Sequence, residues 1–544
     1  MRTRDIIILL VCGITAAASL FAAGAQLDYI NSQREKMKIV INPALENAPP
    51  SLAFATVAMG AFRGLIVDIL WMRADKLKEE GQFFDARQLA EWITTLQPRF
   101  GAVWEFHAWN MAYNISVTIP ASQPEQRWRW VKNGYELLRD KGIPLNPKSI
   151  QLYRELGRIF QHKMGGVSDD AHEYYKLQFA EEISPVLGSS DNGLSANDNK
   201  YLEALIAAPK EWIEIRSDAD IAAFVQTLQA ADENFASEAD FVRNYLSLRQ
   251  NPQRFKPAAG EAIAAYQGTA ALKKFDLFAK AYQLRHVWKM DPALMLRVGQ
   301  MHGPIDFGDP NTHLSMDWRH PDCHAIYWAV KALDVAIQEK DRDITSHEAN
   351  TDMIVLHSLQ NLFRYGEILS TERPPDPNTG APTGKDLFLS PDLRMFDSYN
   401  KAALAVLEKY QDDRGRLSAR QNGHRNMLKN AVLTFYQAGL RKEAQKILEE
   451  LRARYPDYPE FLVPLDQYAV KRMKDELESI GVHDATEQVT ALLVNAYRLL
   501  ALHDDDGAAG NDQLAQKIWK MYNDEYGDTE RIALLPMDRL RYNA

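Results

Sequence analysis

The chain has little of what most chemical functions require. Its 544 residues include two cysteines, Cys12 and Cys323. Two cannot build a disulfide framework, and Cys12 lies inside an apolar N-terminal run, so the fold must rest on packing without cross-links. Basic residues are not in excess: 63 Lys and Arg stand against 73 Asp and Glu, a net charge of −10. That argues against a nucleic-acid surface, which needs a net basic face. The phosphate-cradling loops G-x-x-x-x-G-K-[ST] and G-x-G-x-x-G are missing, as is the nucleophile elbow G-x-S-x-G. These absences disfavour the common nucleotide-binding and hydrolase classes. The expectation is a protein without a cofactor that is not an enzyme.

What is there is globular in composition, with 46% apolar and 25% charged residues. One apolar run stands apart. After Arg2 and Arg4, residues 6–25 carry no charge. At helical rise this run spans about 30 Å, the thickness of a bilayer core. Residues 1–25 therefore read as a transmembrane signal-anchor. The competing readings are a signal peptide cleaved after Ala23-Gly24-Ala25 and a buried soluble helix. Arg2 and Arg4 favour an N-terminus held inside, although Arg34, Lys36 and Lys38 lie beyond the other end. The bulk of the chain is expected to be extracytoplasmic (periplasmic) on a single-pass membrane protein. Residues 26–52, rich in Pro and Asn, read as a tether.

Helical signals then dominate. In the stretch from Asp68 to Trp109, Gly81, Ala86, Ala90, Ile93 and Pro98 follow at intervals of 5, 4, 3 and 5 residues. Gly81 suits a turn, Ala86 and Ala90 let two helix axes approach, and Pro98 stops the helix. Trp104 and Ala108 follow where a new helix would pack. Six residues after Pro147 comes Tyr153, then Leu156, Gly157 and Phe160. Near the C-terminus, Gly439, Ala444, Leu448, Leu451 and Pro456 repeat the 5-4-3-5 spacing. Residues and spacing resemble the tetratricopeptide repeat (TPR) family, a helix–turn–helix unit of about 34 residues. The resemblance covers a quarter to a third of the chain. It implies an all-α solenoid whose hairpins bind segments of other proteins.

The organisation expected from this is an N-terminal TPR-like array at 53–188 and an irregular helical insertion at 189–300. A helical region with a Pro/Gly-rich loop at 301–425 and a C-terminal array at 426–544 complete the chain. Within the third part, Thr371 to Pro391 reads as an exposed loop. At the C-terminus, helices are expected at 484–504 and 512–525, with Asp504, Asp505 and Asp506 in the turn between them.

Two groups of residues stand out as sites. Trp128 and Trp130 are two apart and cannot share a helix face. With Arg127, Arg129 and Lys132 they form the first candidate surface for a partner's acidic or C-terminal segment. The other tryptophans of the region, Trp71, Trp92, Trp104 and Trp109, read as core at helical spacing. His302, His313, Asp317, His320, Cys323 and His324 form the cluster most suggestive of metal chemistry. Because Pro321 and Asp322 suit the first turn of a helix, His320 and His324 need not share a face. A structured loop is the favoured reading, with His313, His320 and His324 as weak metal candidates. The functional expectation is a membrane-anchored scaffold for other proteins. Two alternatives are an accessory subunit packed through its N-terminal helix, and a metal-dependent enzyme using the 302–324 loop.

Overall fold

In a computed structural model of the chain, residues 63–188, 199–309, 312–338, 346–373, 384–478, 482–501, 505–526 and 534–544 are described, with a few isolated positions between them. The expected anchor and tether lie outside the described residues, Thr15 apart. Among the described residues no helix is long and apolar enough to cross a membrane. The described chain is all-α apart from one two-stranded sheet.

Counting α-helices of seven residues or more, the chain opens with α1 (Arg63–Glu79) and α2 (Phe83–Leu96), packed as a hairpin. Gly81 sits at φ +77° between them, the left-handed conformation that glycine enters without penalty. It lets the Gln82 amide reach back to the Leu77 carbonyl at 2.8 Å and close the end of α1. α2 buries Ala86, Leu89, Ala90 and Ile93 on one face, and the Gln97 amide caps it on the Ile93 carbonyl just before Pro98. Far along the chain, α16 (Arg414–Gln437) and α17 (Arg441–Arg454) repeat this geometry. Gly439 lies at φ +78°, Leu440 donates to the Phe435 carbonyl, Ala444, Ile447, Leu448 and Leu451 are buried, and Tyr455 donates to Leu451 before Pro456.

Between these hairpins come α3 (Gly101–Trp109), α4 (Pro124–Leu137), α5 (Ile150–Arg158) and α6 (His172–Leu187). α3, α4 and α5 each run on into a π-helical stretch, at Asn110–Ile115, Leu138–Gly142 and Ile159–Gly165. The aromatic six residues after each helix-ending proline has the same job in α3 and α5. Trp104 Nε1 donates to the Pro98 carbonyl at 2.8 Å, and the Tyr153 hydroxyl donates to the Pro147 carbonyl at 3.1 Å. Both rings are buried. Ala108 faces Gly134 of α4 so closely that a Cβ there would lie 2.9 Å from the Ala108 carbonyl oxygen. Gly157 meets the Ala325 carbonyl in the same manner, at 3.2 Å.

The next partner of α5 in space is distant in sequence. α5 packs against α13 (Pro321–Gln338) and α14 (Ser346–Tyr365). The six helices after α6, α7 (Asn199–Ala207), α8 (Ala219–Ala231), α9 (Glu238–Gln250), α10 (Pro257–Ala265), α11 (Ala270–Tyr282) and α12 (Pro292–His302), pack largely on one another. α12 then joins them to α13. The expected 371–391 loop is corrected at both ends. β1 (Glu367–Glu372) pairs antiparallel with β2 (Lys385–Ser390), from Glu367↔Ser390 to Glu372↔Lys385. The alternating residues of each strand are short runs separated by a Pro- and Gly-rich segment, which hid their period.

α15 (Phe396–Lys409) leads into α16 and α17, and α18 (Leu465–Glu478), α19 (Val482–Ala501), α20 (Asp505–Tyr526) and α21 (Met537–Asn543) complete the chain. Asp505 opens α20 instead of lying in a turn, and its carboxylate there favours the positive end of the helix dipole. One core cluster extends from Trp104 to Tyr468. Smaller ones lie under α1–α2 (Val67, Ala90, Ile93, Leu96, Val103) and among α18–α21.

Candidate protein-binding groove

α15 packs against both α14 and α16, and the three enclose an open groove of about 450 Å3. Lys409 at the end of α15 pairs with Glu348 and Asp352 in the first turns of α14 at 2.8 and 2.7 Å, so these two helices run antiparallel. On the other side, His424 of α16 lies 2.8 Å from the Asn400 side chain of α15 and 2.8 Å from the Tyr455 hydroxyl. Each helix lines the groove at helical period. α14 presents Ala349, Met353, Leu356 and Gln360, α15 presents Tyr399, Ala403 and Val406, and α16 presents Ala419, Gly423 and Met427. Its volume falls in the range of ligand pockets, about 300–1,000 Å3, and its walls are chiefly apolar as such sites are. Arg416 and Arg420 line the end near Ala349 and Val406, and among the described residues no Asp or Glu lines it.

No model of a known protein family matches the chain, and no curated protein matches it at a significant level. The groove therefore has to be read from its own chemistry.

The tryptophan patch expected on α4 does not exist as one surface. Arg127 and Trp128 are buried, which corrects their assignment as contacts for a partner. Arg127 Nη1 lies 3.3 Å from Asp169, and its Nε donates to the Ile119 carbonyl at 2.7 Å. Lys163 reaches the same carboxylate at 2.5 Å, and the Ala171 amide donates to it at 2.9 Å. Burial raises the Asp169 carboxyl, and the Lys163 and Ala171 hydrogen bonds together with the Lys163 and Arg127 charges outweigh it, holding it below its usual value. Trp128 stacks on Tyr175 in the core. Lys132 is tied to Glu182 at 2.6 Å. Trp130 is half-buried, edge-on to Phe84 with the Arg87 guanidinium over its ring. Arg129 alone of the five is exposed. Among the other tryptophans, Trp104 is core, Trp71 and Trp109 are half-buried, and Trp92 is exposed.

The histidine cluster is spread over a docked loop. His313 donates from Nδ1 to the Gly303 carbonyl at 3.0 Å and pairs with Ile305 in a small bridge. His320 precedes α13 and is fully buried, its Nδ1 accepting the Asp322 amide at 3.2 Å. His324 donates from Nε2 to the Trp318 carbonyl at 2.8 Å among Phe160, Phe179 and Trp318. Asp317 holds Arg319, and its carbonyl accepts the Cys323 thiol at 3.1 Å. Burial pushes that thiol far above its ordinary value. Among the described residues no three His, Cys, Asp or Glu side chains converge to hold a metal ion.

A buried polar centre that the sequence pattern missed lies beside this loop. Lys176 of α6 and Asp322 of α13 are both wholly buried. Lys176 donates to the Gly166 carbonyl at 2.8 Å, and Asn361 of α14 donates to Asp322 at 3.1 Å. Burial pushes the Asp322 carboxyl well above its usual range and the Lys176 amine below its own, and each charge partly offsets the shift of the other. Only glycine fits at position 165, where a Cβ would fall 2.1 Å from an Asp322 oxygen. The centre ties the π-helical end of α5 to α6, α13 and α14, with Lys176 and Asp322 146 positions apart, too far for any local spacing to signal it.

Proposed function

We propose that this protein is a TPR-like helical-repeat scaffold that binds other proteins, held at a membrane by residues 6–25 with its bulk outside the cytoplasm. The supporting observation is the pair of hairpins at opposite ends of the chain, α1–α2 and α16–α17. They share turn glycine, buried face and terminal proline in one register. Repeated hairpins of this kind stack into extended surfaces, and such surfaces recognise helices and extended peptides. The anchor rests on the length and charge pattern of the N-terminal run.

A second reading, an accessory subunit of a membrane complex, has its own support. Leu65, Ile69 and Met72 of α1 are exposed at helical spacing on the first described helix. An apolar stripe that close to an anchor suits contact with a membrane-embedded partner. Purification of the full chain in detergent, with mass spectrometry of what co-elutes, separates the two. Substoichiometric soluble clients support the scaffold, and a stoichiometric membrane protein supports the accessory subunit. A monomer carrying bound zinc would overturn both and favour an enzyme built on the 302–324 loop.

A further inference from the structure

We propose that the groove between α14, α15 and α16 receives an amphipathic helix of a partner protein, with the partner's apolar stripe along α15 and a carboxylate at one end of that stripe meeting Arg416 and Arg420. This rests on the protein-binding reading and assigns it a place and a ligand chemistry.

Shape is the first argument. α15 is the floor and α14 and α16 are the walls, so the space left open is a trough parallel to three helices. Amphipathic helices bury an i, i+3, i+4, i+7 stripe in such a trough. Met353 and Met427, one on each wall, are side chains that adapt to varied apolar partners.

Gly423 supplies the second argument. It lies mid-way along the 24-residue helix α16, where glycine weakens a helix relative to alanine. Two helical glycines, Gly134 and Gly157, sit where another backbone presses close, whereas Gly64, Gly260 and Gly510 face open space, and of the open ones only Gly423 lines the groove. At Gly423 a Cβ would meet nothing within 4 Å. No contact inside the molecule calls for its missing side chain, and the space it opens is the groove.

Charge decides the partner's sign. The carboxylates nearest the basic end are already engaged: Glu348 and Asp352 hold Lys409, and Asp352 also accepts the Tyr410 hydroxyl at 2.5 Å. Asp413 lies 3.4 Å from Arg420. Arg416 is exposed and makes no ion pair among the described residues. In a chain of net charge −10, a groove end with the unpaired Arg416 beside Arg420, and no acid lining it among the described residues, selects an anionic end group.

The test uses the full chain in lipid nanodiscs, which keeps detergent out of the groove. Two fluorescein-labelled peptides of about 18 residues, five helical turns, carry the same Leu/Ala stripe and end in either Glu or Lys. Fluorescence anisotropy should show the Glu-ended peptide binding about tenfold or more tightly than the Lys-ended one, as expected for a charge-selected end. Arg416→Glu should reverse that preference. Gly423→Trp should abolish binding of both peptides, and Gly423→Ala should weaken it by no more than about tenfold, since one added methyl is a small change beside an indole. Equal affinity for the two peptides, or binding untouched by Gly423→Trp in a variant with an unchanged melting profile, overturns the proposal. So does dodecanoate binding without peptide binding, which would make the groove a fatty-acid site. Self-association that Gly423→Trp disrupts would assign the groove to a second copy and also overturn it. If the wild-type chain retains co-purifying proteins and Gly423→Trp retains them equally, the groove assignment fails while the scaffold reading stands.

Discussion

At the scale of single residues, the chain stores its polar chemistry inside. His107, His320, His324 and His424 are buried, and burial lowers each below the ordinary histidine value of 6.5, to about 3 for His320 and about 4 for the others. Between pH 6.5 and about 4 the unfolded chain therefore binds protons that the folded chain refuses. The stability these groups contribute is present above pH 6.5 and is lost as pH falls through that window. By pH 5 the loss is of order 2 kcal/mol per histidine. Urea unfolding at pH 7.5 and pH 5 should show the midpoint fall at the lower pH, and His424→Gln should flatten the dependence. A midpoint unchanged between the two would count against buried neutral histidines. Asp169 is the second residue-scale case. Asp169→Ala leaves Lys163 and Arg127 buried without their shared carboxylate, and should cost about 3–5 kcal/mol, read from the same unfolding curves.

At the scale of elements, glycine marks where helices turn and where they touch. Gly81→Ala and Gly439→Ala each force a Cβ into left-handed backbone, at a cost of about 1–2 kcal/mol. Gly134→Ala fails for another reason. Its Cβ would press on the Ala108 carbonyl at 2.9 Å and on Ala112 at 3.1 Å, wedging α3 from α4 and costing about 1–3 kcal/mol. Thermal melts separate the two mechanisms: Gly81→Asn should be milder than Gly81→Ala because asparagine tolerates left-handed backbone, whereas Gly134→Asn should be worse than Gly134→Ala. Hairpin turns and helix ends of this kind were legible, because the cause lies within a few residues. Gly81, Pro98, Gly439 and Pro456 each act on their own neighbours. The strands β1 and β2 were not legible, because six-residue stretches pair only after an intervening segment brings them together.

At the scale of the molecule, the core is continuous from Trp104 to Tyr468, with lesser clusters at each end. Small apolar clusters open at lower free energy than the main core. Hydrogen exchange followed by mass spectrometry should find amides of α1–α2 and α19–α21 exchanging before those of α5, α13 and α14. Uniform protection across the chain would show that the three clusters open as one. The groove also belongs to this scale. Its walls come from helices separated by β1, β2 and their connection, so no window of sequence contains it.

The sequence alone carried whatever depends on neighbours along the chain: helical periodicity, the two hairpins in one register, the tryptophan and tyrosine six residues past a proline, and the apolar run at the N-terminus. Tertiary structure alone decided which long-range partners those elements meet. It turned Arg127 and Trp128 from an expected surface into core, because Asp169, which Lys163 also holds, pairs with the guanidinium from another hairpin. It set α5 against α13 across the helices between them, which buries Lys176 and Asp322 in one interface. It also left the space beside Gly423 open, and a gap between three helices is a property of their packing, which local spacing does not encode.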